Sequence, residues 1–212
     1  MLAGKRQSPF PDTVILAPIW RRHPWVALVV VGIVALALLT RPAVPTGGDF
    51  DKYHEREFTV VHVADGDTFD IDIPDGKYDQ TRIRLWGVDT PEVAGSRDGA
   101  MHYGDEASRF AKTTLLGQRV RVQLNPARTR DKYDRLLAYV TLVADDASYG
   151  EALLARGLAY ADWRFDHPLK NSYKRLERKA RREDRGLWAE VTPADMPAWR
   201  RRMERELNYN PP

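Results

Sequence analysis

The stretch Arg82-Ile-Arg-Leu-Trp-Gly-Val88, followed at once by Asp89-Thr-Pro-Glu92, decides the reading of this chain. Its first seven residues read as a strand, with Ile83 and Leu85 on one face and Arg84 on the other. Upstream, Phe69, Ile71 and Ile73 alternate with Asp70 and Asp72, which predicts a half-buried strand. Asp75-Gly76 supplies the turn that returns it to Arg82. Phe58-Thr-Val-Val-His-Val63 is apolar and β-branched, and reads as the strand before both.

Downstream the period changes. After Tyr103-Gly104, Ala107, Phe110, Ala111, Thr114 and Leu115 fall on one helical face, stopped by Gly117. Val120, Val122 and Leu124 alternate again, and Leu136 to Val143 is a fifth extended run, with Asp131 to Arg135 in the turn between. A second helix carries Glu151 to Ala155 and is capped by Gly157. A third carries Tyr173, Leu176, Ala180 and Leu187, ending at Gly186-Leu-Trp188. Met196, Trp199, Met203 and Leu207 recur at helical spacing in a final amphipathic segment, read as docking on the domain in preference to touching lipid or DNA.

The chemistry lies in three clusters: Asp65-Gly66-Asp67-Thr68, the run from Arg84 to Glu92, and Asp131-Lys132-Tyr133-Asp134-Arg135. Asp67 and Asp89, beside the Thr90-Pro91-Glu92 corner, are oxygen ligands of the kind a hard divalent cation takes. Arg84 and Arg135 carry the planar, permanently charged fork that suits a phosphoryl group. Each fragment has a plain structural reading as well. Asp67 and Thr68 suit a strand-entry turn, Glu92 a helix start, and Asp131 and Lys132 turn positions. Carboxylates and arginines around one point imply metal plus phosphate.

Five ordered fragments carry a resemblance. They are Val63-Ala-Asp-Gly-Asp-Thr68, Ile83-Arg-Leu-Trp-Gly-Val-Asp-Thr-Pro-Glu92, Tyr103-Gly-Asp-Glu-Ala107, Asp131-Lys-Tyr-Asp-Arg-Leu-Leu-Ala-Tyr139 and Leu154-Ala-Arg-Gly-Leu158. Together, from Phe58 to Trp188, the chain resembles the staphylococcal nuclease (thermonuclease) family. The resemblance implies an α+β protein, a five-stranded OB-fold barrel with about three helices. It implies Ca²⁺ held by Asp67, Asp89 and the Thr90 carbonyl, with Glu92 as general base and Arg84 and Arg135 on the phosphate. DNA and RNA are the implied substrates. Tyr133 and Lys132, and Trp163 in the Tyr160 to Phe165 region of base-stacking tyrosines, are the implied substrate contacts. Where the family often has Gly between Tyr133 and Arg135, this chain has Asp134, a residue that tolerates left-handed backbone.

Pro24 to Thr40 is a run of 17 residues without a charge. As a helix it rises about 25 Å, at the short end of what crosses a bilayer. Trp20 and Trp25 sit where an interfacial aromatic belt would be. Ala35-Leu36-Ala37 offers a small-x-small cleavage pattern, but it lies inside the apolar run after a long preceding segment, which favours an uncleaved anchor over a signal peptide. Lys5, Arg6, Arg21 and Arg22 before the span, against Arg41 after it, predict a cytoplasmic N-terminus and an extracytoplasmic domain. The expected organisation is therefore residues 1–23 cytoplasmic, 24–40 a transmembrane helix, 41–57 a Pro/Gly linker, 58–190 the nuclease-like domain and 191–212 an extension.

Composition bounds the rest. With no cysteine, thiol catalysis, cysteine metal sites and disulfides are excluded. Net charge is only +3, yet Arg164 to Leu207 holds 13 Lys or Arg against 8 Asp or Glu, either a solvated helix face or a track for a polyanion. No obligate protein partner is inferred. Two further readings remain beside a nuclease: a non-catalytic OB module binding nucleic acid or protein, and a membrane-tethered interaction protein working through its basic tail.

Overall fold

The computed structural model describes residues 26, 28–31, 48–96 and 99–208, and the chain divides into two compact units, 1–44 and 45–212. In the first unit Val26 and Leu28–Val31 are helical, and Leu28 to Val31 are exposed. No helix among the described residues is long and apolar enough to cross a membrane, and the expected span at 24–40 falls mostly outside them.

In the second unit five strands close into a barrel in the order β1-β2-β3-β6-β5. They are β1 (Arg56–Val63), β2 (Thr68–Ile71), β3 (Thr81–Leu85), β5 (Arg119–Leu124) and β6 (Leu136–Leu142). Neighbours pair antiparallel except β3 and β6, which run parallel, with Ile83 opposite Leu136. β1 and β5 complete the closure, so no barrel strand keeps a free edge. This is the expected OB-type barrel. Its interior holds Val60, Phe69, Ile71, Ile83, Leu85, Val120, Val122 and Leu136, the inward residues of the alternating runs. A short pair, β4 (Val88–Asp89) with β7 (Tyr160–Ala161), stands outside the barrel.

Helices close the barrel and extend it. They are α1 (Asp49–Tyr53), α2 (Gly104–Leu115), α3 (Tyr149–Ala155), α4 (Lys170–Arg182) and α5 (Ala198–Asn208), with a 3₁₀ turn at Gly186–Ala189. The expectation of about three helices is thus too low. α1 lies in what reads as linker, because Phe50 and Tyr53 are buried against the barrel and Tyr53 bonds Thr81 through its hydroxyl at 3.0 Å.

Three further details differ from the sequence reading. The strand expected from Arg82 to Val88 breaks at Trp86-Gly87, where Gly87 takes φ +77° against the His167 ring, and resumes as β4. β2 is buried on both faces, since Asp70 is covered by Arg82 (2.7 and 2.9 Å) and by His62 (3.0 Å). The third expected helix ends at Arg182. Leu187 instead joins Tyr160, Ala180, Trp188 and Met196 in a second, smaller core.

That second core docks the C-terminal segment. Arg200 on α5 is 1 % exposed and donates to both oxygens of buried Glu177 on α4, at 2.6 and 3.0 Å. The Ala161 amide of β7 donates to the same carboxylate at 2.6 Å. Burial raises the Glu177 pKa and Arg200 opposes the rise. Removing one partner of a buried pair strands the other charge. Arg200→Ala should therefore cost about 3–5 kcal/mol in urea unfolding. The double change Glu177→Gln with Arg200→Met should recover most of the loss, because no uncompensated charge then remains.

Candidate active site

The register of β2 and β3 builds the site. Thr68 lies opposite Arg84, so Asp67, one residue earlier, meets the arginine that the alternation of β3 turns away from the barrel interior. β4 pairs with β7, Asp89 opposite Tyr160, and carries a second carboxylate to the same guanidinium. Nη1 of Arg84 pairs with Oδ1 of Asp67, and Nη2 with Oδ1 of Asp89. The other oxygen of each carboxylate is held by an N–H. Asp67 Oδ2 accepts from the Thr90 amide at 2.7 Å, and Asp89 Oδ2 from the Trp199 indole at 2.7 Å.

Close backbone approach fixes the surrounding loops. A Cβ on Gly66 would lie 2.7 Å from Thr90 Cγ2 and 2.9 Å from the Ala107 Cβ, so glycine lets the Asp65–Thr68 turn sit directly on the Thr90 corner. Tyr149 donates to the Gly66 carbonyl at 2.8 Å, which ties the turn to α3. A Cβ on Gly104 would lie 2.1 Å from the Glu92 carbonyl oxygen, which also accepts from the Met101 amide at 2.8 Å. The backbone of Glu92 is thereby seated on the first residue of α2.

A cleft of about 860 Å³ opens over these groups. Arg84, Asp89, Thr90, Glu92, Lys132, Tyr133 and Arg135 line it, and Asp67 lies buried behind Arg84. Trp163 is not on this wall. Its ring packs 4.3 Å from the Arg200 guanidinium and its indole donates to Met203 Sδ at 2.8 Å, under α5; Phe165 faces the cleft instead. Arg135 is held by Asp131, whose Oδ2 accepts from its Nε at 2.7 Å. Asp131 also accepts from the amides of Tyr133 (2.8 Å) and Arg135 (3.0 Å), so it shapes the turn as well as aiming the arginine. Asp134 takes φ +64°, the left-handed conformation the turn needs.

Three contributors carried no role of their own in the sequence reading. Asp65 accepts from the amides of Asp67 (3.0 Å) and Thr68 (2.7 Å), and burial raises its pKa although Arg84 opposes the rise. Arg164 is fixed by Asp162 at 2.8 and 2.6 Å and lies 4.2 Å over the Trp199 ring. Trp199 itself was legible as an apolar helix position, with no signal that its N–H would reach a carboxylate.

The donor set is oxygen only. Among the described residues no group of three or more His, Asp or Glu gathers as a metal cage. Two carboxylates aimed at one positive group, beside a backbone corner, fit a hard cation that completes its shell with water, and do not fit zinc.

Known proteins give the same outline. The family of staphylococcal nuclease homologues matches residues 82–190. A thermonuclease of Staphylococcus hyicus is 32% identical over 165 residues, spanning 76% of this chain and 94% of that protein. A thermonuclease of Staphylococcus intermedius is 36% identical over 154 residues, spanning 71% and 86%. An endonuclease of Bacillus subtilis is 32% identical over 133 residues, spanning 62% and 61%.

Glu92 provides the test of this electrostatic setting. Burial raises its pKa from the ordinary 4.5, and the charges of Asp65 and Asp89 add to the rise, with Arg84 opposing. Between the ordinary value and the raised one, the native state keeps a proton that the unfolded chain has lost. This group's contribution to stability therefore falls as pH rises through that window. Carboxyl ¹³C NMR titration of the metal-free protein should find Glu92 titrating above 4.5, and Arg84→Met should raise it further. A value at or below 4.5 removes the argument.

Proposed function

We propose that this chain, which belongs to the staphylococcal nuclease family and is a phosphodiester hydrolase, cuts DNA and RNA internally in a Ca²⁺-dependent reaction. The observation that carries the reading is the convergence of Arg84 on Asp67 and Asp89, in one cleft with Glu92 and Arg135.

Hydrolysis needs a nucleophilic water, an in-line approach to phosphorus, and positive charge where the phosphoryl oxygens gain electron density. When bound, the cation supplies Lewis-acid charge at those oxygens and orients the scissile phosphate. Asp67, Asp89 and the Thr90 carbonyl would hold it. Arg84 and Arg135 offer planar forks to the phosphoryl oxygens, where a point charge would fit less well. Glu92, with its raised proton affinity, takes the proton from the attacking water. Lys132 and Tyr133 extend the basic and aromatic lining along the strand, and Phe165 lies 6.0 Å from the Trp86 ring as a further base-facing surface.

Closed-circular DNA and a closed RNA circle incubated with the full chain in detergent should yield linear and then shorter products when Ca²⁺ is present. Excess chelator should stop the reaction and added Ca²⁺ restore it. Arg84→Lys and Arg135→Lys should each lower turnover by about 10²–10³ while nucleic-acid binding changes far less. Full activity in chelator sinks the Ca²⁺ assignment, and a lysine variant at the parent rate removes that arginine from the reaction.

The same reading extends to location: residues 24–40 as an uncleaved membrane anchor with the nuclease outside the cytoplasm. The charge asymmetry around that run supports it. A reporter active only outside the cytoplasm, fused after Pro212, should be active and should fractionate with membranes. An inactive reporter reverses the orientation.

A further inference from the structure

We infer that Trp199 is a positioning residue for the Asp89 carboxylate, so that the C-terminal helix completes the active site. The inference rests on the reading of Asp89 as a ligand of the cation.

The two carboxylates are held alike, although Asp67 Oδ1 also accepts from the Thr68 hydroxyl at 3.0 Å. Each has Oδ1 on Arg84 and Oδ2 on an N–H at 2.7 Å. A carboxylate with one oxygen held cannot rotate freely, and its other oxygen keeps a fixed direction. For Asp67 the holding N–H is the Thr90 amide, inside the nuclease domain. For Asp89 it is an indole 110 residues away, on a helix beyond the 82–190 span that the family matches.

The indole is itself clamped. The Arg164 guanidinium lies over its ring, and Asp162 fixes that arginine on one side while bonding the Gly87 carbonyl through its amide at 2.9 Å. Arg200, the next residue along α5, is anchored on Glu177. Glu177 also holds the Ala161 amide, and β7 is the strand on which Asp89 is paired. One buried carboxylate thus fixes both the strand behind Asp89 and the helix that carries the indole.

A tryptophan placed only for packing would look different, and the other three described tryptophans serve for comparison. The part-buried Trp163 meets a thioether under α5 through its N–H, and the N–H groups of buried Trp86 and Trp188 have no partner among the described residues. Trp86 and Trp199 both line the cleft, and of the four only Trp199 directs its N–H at an anionic oxygen, the stronger kind of hydrogen bond.

Trp199→Phe keeps an aromatic ring beneath Arg164 and removes the N–H together with the five-membered ring of the indole. The test uses the full chain in detergent, with Ca²⁺ binding measured by calorimetry without nucleic acid, alongside cleavage kinetics and urea unfolding. The Ca²⁺ Kd should rise about 10- to 100-fold, as when an outer partner of a ligand is lost. KM for nucleic acid at saturating Ca²⁺ should stay within about twofold, because the phosphate contacts remain. A folded Trp199→Phe protein with the parent's Ca²⁺ Kd overturns the inference and leaves the site reading intact. A parent that binds no Ca²⁺ overturns both. Should the variant not fold, the Trp199 indole N–H resonance of ¹⁵N-labelled parent is followed during a Ca²⁺ titration: a shift supports the role, and an unmoved resonance overturns it.

Discussion

Two carboxylates brought to one point repel each other, and here the repulsion between Asp67 and Asp89 is offset by Arg84, which meets one oxygen of each. Asp65 and Glu92 stand close enough to feel the same field, and both hold their protons more tightly than an exposed carboxyl would. A cluster this acidic survives only where backbone amides and a guanidinium counter it. The barrel meets that condition through register. Pairing Thr68 with Arg84 sets Asp67 against the arginine, and a slip of one residue would send Arg84 into the apolar interior.

The second dependency is more distant from the chemistry. Glu177 gathers the Ala161 amide and the Arg200 guanidinium in a setting almost closed to water. Such a pair contributes little net stability against an apolar replacement, and its value lies in fixing geometry. Here the geometry it fixes is the relation of β7 to α5, the two elements on either side of Asp89. A small second core of Tyr160, Leu187, Trp188 and Met196 gives that relation its apolar support.

Much of this was legible in sequence, for identifiable reasons. Alternation at Ile83, Leu85, Val120, Val122 and Leu124 marks buried strand faces, and all five side chains are buried. Arg84 was readable as outward-facing by parity alone. Asp70 misled, because a charged residue in an alternating strand reads as solvated, whereas Arg82 and His62 cover it. The helix carrying Leu187 was drawn too long because an apolar period does not register the left-handed turn that Asp184 makes at φ +48°, just after Arg182. α1 went unread because five residues are too few for a helical period to show. The reach of Trp199 needed three dimensions, since a side-chain contact across 110 residues leaves no periodic trace.

The order in which the parts appear along the chain has a consequence for synthesis. A polypeptide leaving the ribosome presents its N-terminal end first, and the last barrel strand, ending at Leu142, is out long before Trp199. The barrel can close on the nascent chain while the indole that steadies Asp89 is still inside the exit tunnel. A domain assembled in this order forms its barrel first and gains the indole contact to Asp89 only once residue 199 has emerged.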